Sequence, residues 1–234
     1  MRYLWTEDTG AGLHFWKLVS QLFFDNKLVV ESKGSNQGIV DALTELKASE
    51  DDEYYIAFDY VMDNQDIRNK YRILKKLANE SETKIVILDM ICFEHFILAF
   101  DKLVLWTGTG KADKIKMREE ILAAIENHRI DLSKIEDENT LLYLSGFRRY
   151  STERVMKSLA GEFTQNEKWS IKGARMGACW YEDCCVSEHP DNLRCGKPET
   201  KNGCEKMRML IGSDEVQRTI SFCSCIHDRN SGTN

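Results

Sequence analysis

Along the first ninety residues, short β-prone runs alternate with stretches whose apolar residues recur at helical spacing. Tyr3 to Thr6 reads as a strand, Glu7-Asp8-Thr9-Gly10-Ala11-Gly12 as a polar glycine turn, and Leu13 to Phe24 as an amphipathic helix. The unit then repeats. Lys27 to Ser32 predicts a second strand, Lys33 to Gly38 a turn, and Ile39 to Lys47 a second helix. Tyr54 to Phe58 predicts a third strand that ends at Asp59, and Ile67, Tyr71, Leu74 and Leu77 mark a helix over Gln65 to Asn79. Thr83 to Leu88 is nearly all apolar, as expected of a fourth strand covered by helices on both faces. Strands alternating with helices imply an α/β fold with a mostly parallel sheet and right-handed crossovers.

Beyond Leu88 the pattern becomes helical, with helices predicted over Phe93 to Leu105, Lys114 to His128, Asp137 to Leu144 and Ser151 to Phe163. The expected organisation is an α/β domain over 1–105 and a helical extension over 106–229, with a cysteine-rich segment at 173–205. The last residues, 230–234, read as a disordered tail.

Composition adds constraints. Charged residues make up 30% of the chain and prolines number only 2, the balance of a globular protein. The amino terminus carries no secretory pattern and no apolar run approaches the roughly 20 residues of a membrane span, so the expected address is the cytoplasm. A net charge of −6 gives no global attraction to nucleic acid. Local basic clusters remain at Lys111 to Arg118 and around Arg148, Arg149 and Arg154, and solvated helix faces are the plainer account of them.

Acids gather at the predicted carboxyl ends of the strands: Glu7 and Asp8 after the first, Asp59 and Asp63 after the third, Asp89 and Glu94 after the fourth. In parallel sheets this edge carries function. Carboxylates meeting there repel one another unless protons or a cation compensate, and such oxygen ligands suit magnesium or manganese. The plainer account is that Glu7, Asp8 and Asp63 serve helix amino termini while Asp59 merely ends a strand.

The segments Trp5-Thr6-Glu7-Asp8-Thr9-Gly10, Ser32-Lys33-Gly34-Ser35, Tyr55-Ile56-Ala57-Phe58-Asp59 and Leu88 to Leu98 occur in an order and spacing that resembles the Toprim family. The likeness is to Toprim domains of the overcoming-lysogenization-defect and phage-defence type, and it covers about Met1 to Phe100. It implies that Glu7 is the catalytic or metal-positioning acid, that Asp59 and a second aspartate, for which Asp63 is the candidate, hold Mg or Mn, and that Glu94 on the acid-bearing helix that follows joins the metal site. It also implies phosphodiester hydrolysis of DNA or RNA, in bacterial defence or mobile-element biology. One departure stands out: family members carry two aspartates separated by one residue, whereas position 61 is Val61 and the next acid is Asp63. A catalytically inactive Toprim-like module that binds a protein partner is the alternative. Arg148 and Arg149 are candidate phosphate-binding residues by charge type alone.

Cys179, Cys184, Cys185, Cys195 and Cys204, with His189, lie within 26 residues. The residue types suit structural zinc, but the spacing is not a paired Cys-x-x-Cys knuckle, so reduced thiols and disulfides remain alternatives. Cys92 sits in an apolar stretch and reads as a small core residue.

Overall fold

In the computed structural model, residues 1–9, 11–47, 49–101, 104–105 and 110–164 are described. The cysteine cluster Cys179, Cys184, Cys185, Cys195 and Cys204, and the tail 230–234, lie outside the described residues. The chain begins with β1 (Arg2–Thr6), α1 (Ala11–Phe24), β2 (Leu28–Ser32), α2 (Asn36–Thr44), β3 (Glu53–Ala57), α3 (Gln65–Glu80) and β4 (Lys84–Ile87). The four strands form one parallel sheet in the order β2-β1-β3-β4. The expected α/β fold is therefore present, with helices flanking a parallel sheet.

The order dictates which face each helix covers. Winding runs outward from β1 to β2, then returns across β1 to β3 and on to β4. A constant crossover hand requires the helices to change face when the direction reverses. They do: α2 and α3 cover one face, where Trp5, Ile39, Val40, Leu43, Tyr54, Ile56, Leu74 and Ile87 form a continuous core. Leu4, which alternation turns to the opposite face from Trp5, is completely buried. On α1, Phe15 and Trp16 stack against Phe93 and Phe96 with ring centroids 4.3 to 6.3 Å apart. Ser20 Oγ donates to the Leu28 carbonyl at 2.5 Å, tying α1 to β2.

After the sheet come α4 (Phe93–Leu98), α5 (Ala112–Ala123), a hairpin of β5 (Ile125–Glu126) and β6 (Arg129–Ile130), α6 (Glu138–Ser145) and α7 (Thr152–Thr164). Two sequence expectations differ from this. The helix read as Phe93 to Leu105 has its α4 segment end at Leu98, and the one read as Lys114 to His128 stops at Ala123. Asn127 and His128 take left-handed φ of 47° and 62°, so they turn the chain back as a two-residue hairpin loop rather than continuing the helix. Elsewhere the caps explain the boundaries. Asp137 accepts from the Thr140 N–H at 2.9 Å and opens α6, and Asn64 accepts from the Asp66 and Ile67 N–H groups and opens α3.

A second core joins Ile91, Cys92 and Leu98 to Met117, Ile121, Leu144, Val155, Met156, Leu159 and Phe163. The expected boundary at residue 105 falls inside the sequence span of this cluster. Cys92 is wholly buried there, the small core residue its neighbours suggested. Arg118 is 3% exposed and donates from Nε to the Leu98 carbonyl at 2.9 Å, so α5 closes the carboxyl end of α4. It also pairs with Asp101 at 2.5 Å, whose side chain is 71% exposed.

These two contacts of Arg118 differ in weight. Arg118→Met leaves the Leu98 carbonyl without its charged donor and is expected to destabilise the protein by about 2 kcal/mol. Asp101→Asn removes only a solvent-screened pair and is expected to cost less than about 1 kcal/mol. Urea denaturation of both variants checks the ranking.

Candidate functional site

Parallel pairing sets β1 and β3 side by side, with Thr6 opposite Ala57. β1 is also the strand from which the chain leaves in one direction and beside which it returns, so the gap between the carboxyl ends of β1 and β3 is the topological switch point. There the connecting loops diverge and leave a crevice. Glu7 follows β1 directly and Asp59 follows β3 after Phe58, whose side chain is taken into the core. Both acids therefore arrive at the same crevice.

The two side chains are close enough to interact, an interaction that pulls the Glu7 pKa down and pushes that of Asp59 up. Burial raises the pKa of Asp59 to about 8, assisted by the negative charges of Glu7 and Asp8 and opposed by the charge of Lys157. Burial also raises the Glu7 pKa, with Asp8 adding to the rise, while the interaction with Asp59, a backbone N–H from Asn36 and the charge of Lys157 pull it down. Both acids are thus shifted toward the protonated form. Asp8 is held elsewhere: its Oδ2 accepts from Thr6 Oγ1 at 2.7 Å and lies 3.4 Å from Trp16 Nε1.

Asn36 forms the wall of the crevice from the first turn of α2. Its backbone N–H reaches Glu7, and its side-chain Nδ2 donates to the Asp59 carbonyl at 2.9 Å. Ser35 caps the helix, with Oγ accepting from the Gly38 N–H at 3.0 Å. A Cβ on Gly38 would lie 2.0 Å from the Lys33 carbonyl, so only glycine lets the turn fold this closely over the helix start.

Lys157, on the opposite side of the sequence, projects from α7 near the pair, where its positive charge acts on Glu7 and Asp59. Burial alone would lower its own pKa, but its hydrogen bond to Glu153 and the charges of Glu153 and Asp59 raise it overall. The sequence offered no sign of this residue beyond a lysine on an amphipathic helix. Its role emerges because α7 packs on α4.

The remaining sequence candidates divide. Asp63 is exposed in the turn before α3, and it is not among the charges acting on Asp59. Glu94 is 4% exposed in the first turn of α4. Among the described residues, no three His, Cys, Asp or Glu side chains converge as a metal-holding group. Arg148 and Arg149 are exposed in the short 3-10 turn ahead of α7. Asp89 is engaged by the hairpin: His128 Nε2 lies 3.2 Å from its Oδ1, and the imidazole packs on Tyr60 at 4.7 Å between ring centroids. No helix among the described residues is long and apolar enough to cross a membrane.

Comparison with family models, with curated proteins and with solved structures gave no match.

The buried pair makes stability depend on pH with a definite sign. The Asp59 pKa rises from 3.8 unfolded to about 8 folded, so its contribution is complete below pH 4 and disappears as pH climbs through 8. His95 acts oppositely: burial lowers its pKa from 6.5 to about 4, so its contribution is present above pH 6.5 and is lost on acidification through pH 4. The opposing slopes of Asp59 and His95 offset each other between about pH 4 and 6.5; above that range the raised carboxyls govern the slope, with Glu7 acting in the same direction as Asp59. In metal-free buffer the urea midpoint is expected to fall between about pH 6.5 and 8, by up to about 1.4 kcal/mol per pH unit. Asp59→Asn should flatten that decline, and an unchanged slope would refute the buried carboxyl pair.

Proposed function

We propose that the chain is a Toprim-like, Mg- or Mn-dependent phosphodiester hydrolase acting on DNA or RNA. One observation carries the reading: parallel pairing of β1 and β3 brings Glu7 and Asp59, from separate strand-helix units, to the switch point of the sheet. A carboxyl group hindered from ionising by burial and by the negative charges of Glu7 and Asp8 is in the electrostatic state that a divalent cation would relieve. The donor set agrees with this, since magnesium is commonly held by one or two carboxylates and completes its shell with water and substrate phosphate. Glu7 and Asp59 are the residues that would hold it. The order and spacing of the Toprim-like segments support the same assignment.

When bound, the cation would supply Lewis-acid polarisation of a phosphoryl oxygen and a water of lowered pKa. The chain's own groups account for the rest. Glu7, when ionised, is a carboxylate able to accept the proton of an attacking water. Lys157 presents a fixed positive charge to the developing negative charge on the phosphoryl oxygens. The Asn36 backbone N–H keeps Glu7 oriented, and the buried aromatic cluster on α1 and α4 keeps the sheet edge rigid beneath it.

A second reading, an inactive Toprim-like module that binds a protein partner, is favoured by one specific observation. Val61 stands where the second aspartate of the family pattern is expected, and Asp63 is directed to solvent. Residence in the cytoplasm and a place in phage defence belong to the family analogy alone.

Nicking of supercoiled plasmid and cleavage of single-stranded DNA and RNA, each with Mg2+, Mn2+ or EDTA, separate the two readings. Cation-dependent cleavage is expected, with at least about a hundredfold loss in Glu7→Gln, the lower range for removing a proton acceptor. Lys157→Met is expected to lower kcat by about a hundredfold while the protein stays folded. Absence of cleavage in all conditions would leave the inactive module as the better reading, and cleavage that survives Glu7→Gln and Asp59→Asn together would remove the site assignment.

A further inference from the structure

We propose that the side-chain oxygen of Asn36 is a third, neutral protein ligand for a divalent cation held by Glu7 and Asp59. The inference rests on the reading of that pair as a cation site and names a residue outside the acidic pattern. Asn36 is 6% exposed, and its Oδ1 is buried without any hydrogen-bond donor. An unpaired buried acceptor carries an uncompensated desolvation cost, so the position calls for an explanation.

Helix capping does not provide one. Ser35 already occupies the cap and satisfies the Gly38 N–H, and asparagine one residue inside a helix is a poor helix former. Nor is the amide free to turn. Nδ2 donates to the main-chain carbonyl of Asp59 at 2.9 Å, which fixes the amide beside that residue. The oxygen that lacks a partner belongs to the same amide group and so lies at the carboxyl end of β3, next to the residue that carries the acid. The glycine at position 38 makes the approach feasible, because any larger residue would push the Lys33 carbonyl away from the helix start.

The chemistry is consistent. Two carboxylates and one amide oxygen are hard donors with a total charge that cancels a divalent ion, and open positions remain for water and a phosphate oxygen. This also reconciles the site with the lack of a third acidic ligand among the described residues, because the third oxygen comes from an amide.

The test is Mn2+ binding by titration calorimetry on the full chain, with Mn2+-dependent thermal shifts as a second readout and far-UV circular dichroism as the folding control. Wild type is expected to bind Mn2+, and Glu7→Gln to lose that binding. Asn36→Ala should weaken affinity about tenfold or more. Asn36→Asp keeps an oxygen at the site but loses the donor to Asp59, and adds a third carboxylate. It should bind at least as tightly as wild type and gain more thermal stability from Mn2+, because the ion relieves the added repulsion.

Asn36→Ala within about twofold of wild type, with Glu7→Gln still inactive in binding, overturns the ligand assignment and leaves the cation site standing. Asn36→Asp as weak as Asn36→Ala also overturns it, because the amide would then act only by holding the Asp59 carbonyl. Should Asn36→Ala fail to fold, the Asn36→Asp comparison decides alone. Wild type without Mn2+ affinity, or with affinity indifferent to Glu7→Gln, removes the underlying reading and this inference with it.

Discussion

Two carboxyl groups confined at one sheet edge, where burial disfavours their ionisation, set the terms for everything around the crevice. Neither acid is there by local preference. β1 and β3 pair in parallel, which brings Glu7 and Asp59 to the same edge, and burial makes a second negative charge unfavourable. The surroundings answer that constraint with a backbone N–H from Asn36 and a positive charge from Lys157. Remove the confinement and these would be two ordinary surface acids.

The same constraint links the sheet to the helices that follow it. Ile91 and Cys92, just past β4, enter the second core with α5, α6 and α7, and that packing carries Lys157 to the acids. The hairpin makes a separate tie. Its His128 engages Asp89 at the end of β4, and Thr152 Oγ1 at the start of α7 donates to the His128 carbonyl at 2.9 Å. The carboxyl edge of the sheet is thus held by a helix on one side and a hairpin on the other.

Much of the sheet was legible because its strands are short apolar runs between polar turns, and its helices repeat at a spacing that only one face can bury. The caps at Ser35, Asn64 and Asp137 mark helix starts through residues whose side chains accept backbone N–H groups. The hairpin at Asn127 and His128 was not legible. Glu126-Asn127-His128-Arg129 lacks the glycine that usually marks such a turn, and the residues on both sides fit a helical pattern. Of the candidate acids, Glu7 and Asp59 come together whereas Asp63 points to solvent. Spacing along a chain reports which edge an acid reaches, but not the direction of its side chain after the turn.

What the sequence determined by itself is the alternation of strand and helix, the burial of the strands and the arrival of acids at the carboxyl edge. These follow from local preference and from the periodicity of apolar residues, which act over a few residues at a time. Only the tertiary structure decided which acids meet, that Asn36 is tied to the Asp59 backbone with its side-chain oxygen left unpaired, and that a lysine about 100 positions from Asp59 supplies a compensating charge. Those outcomes depend on strand order and on how helices pack across the sheet, which bring together residues whose distance along the chain carries no information about their distance in space.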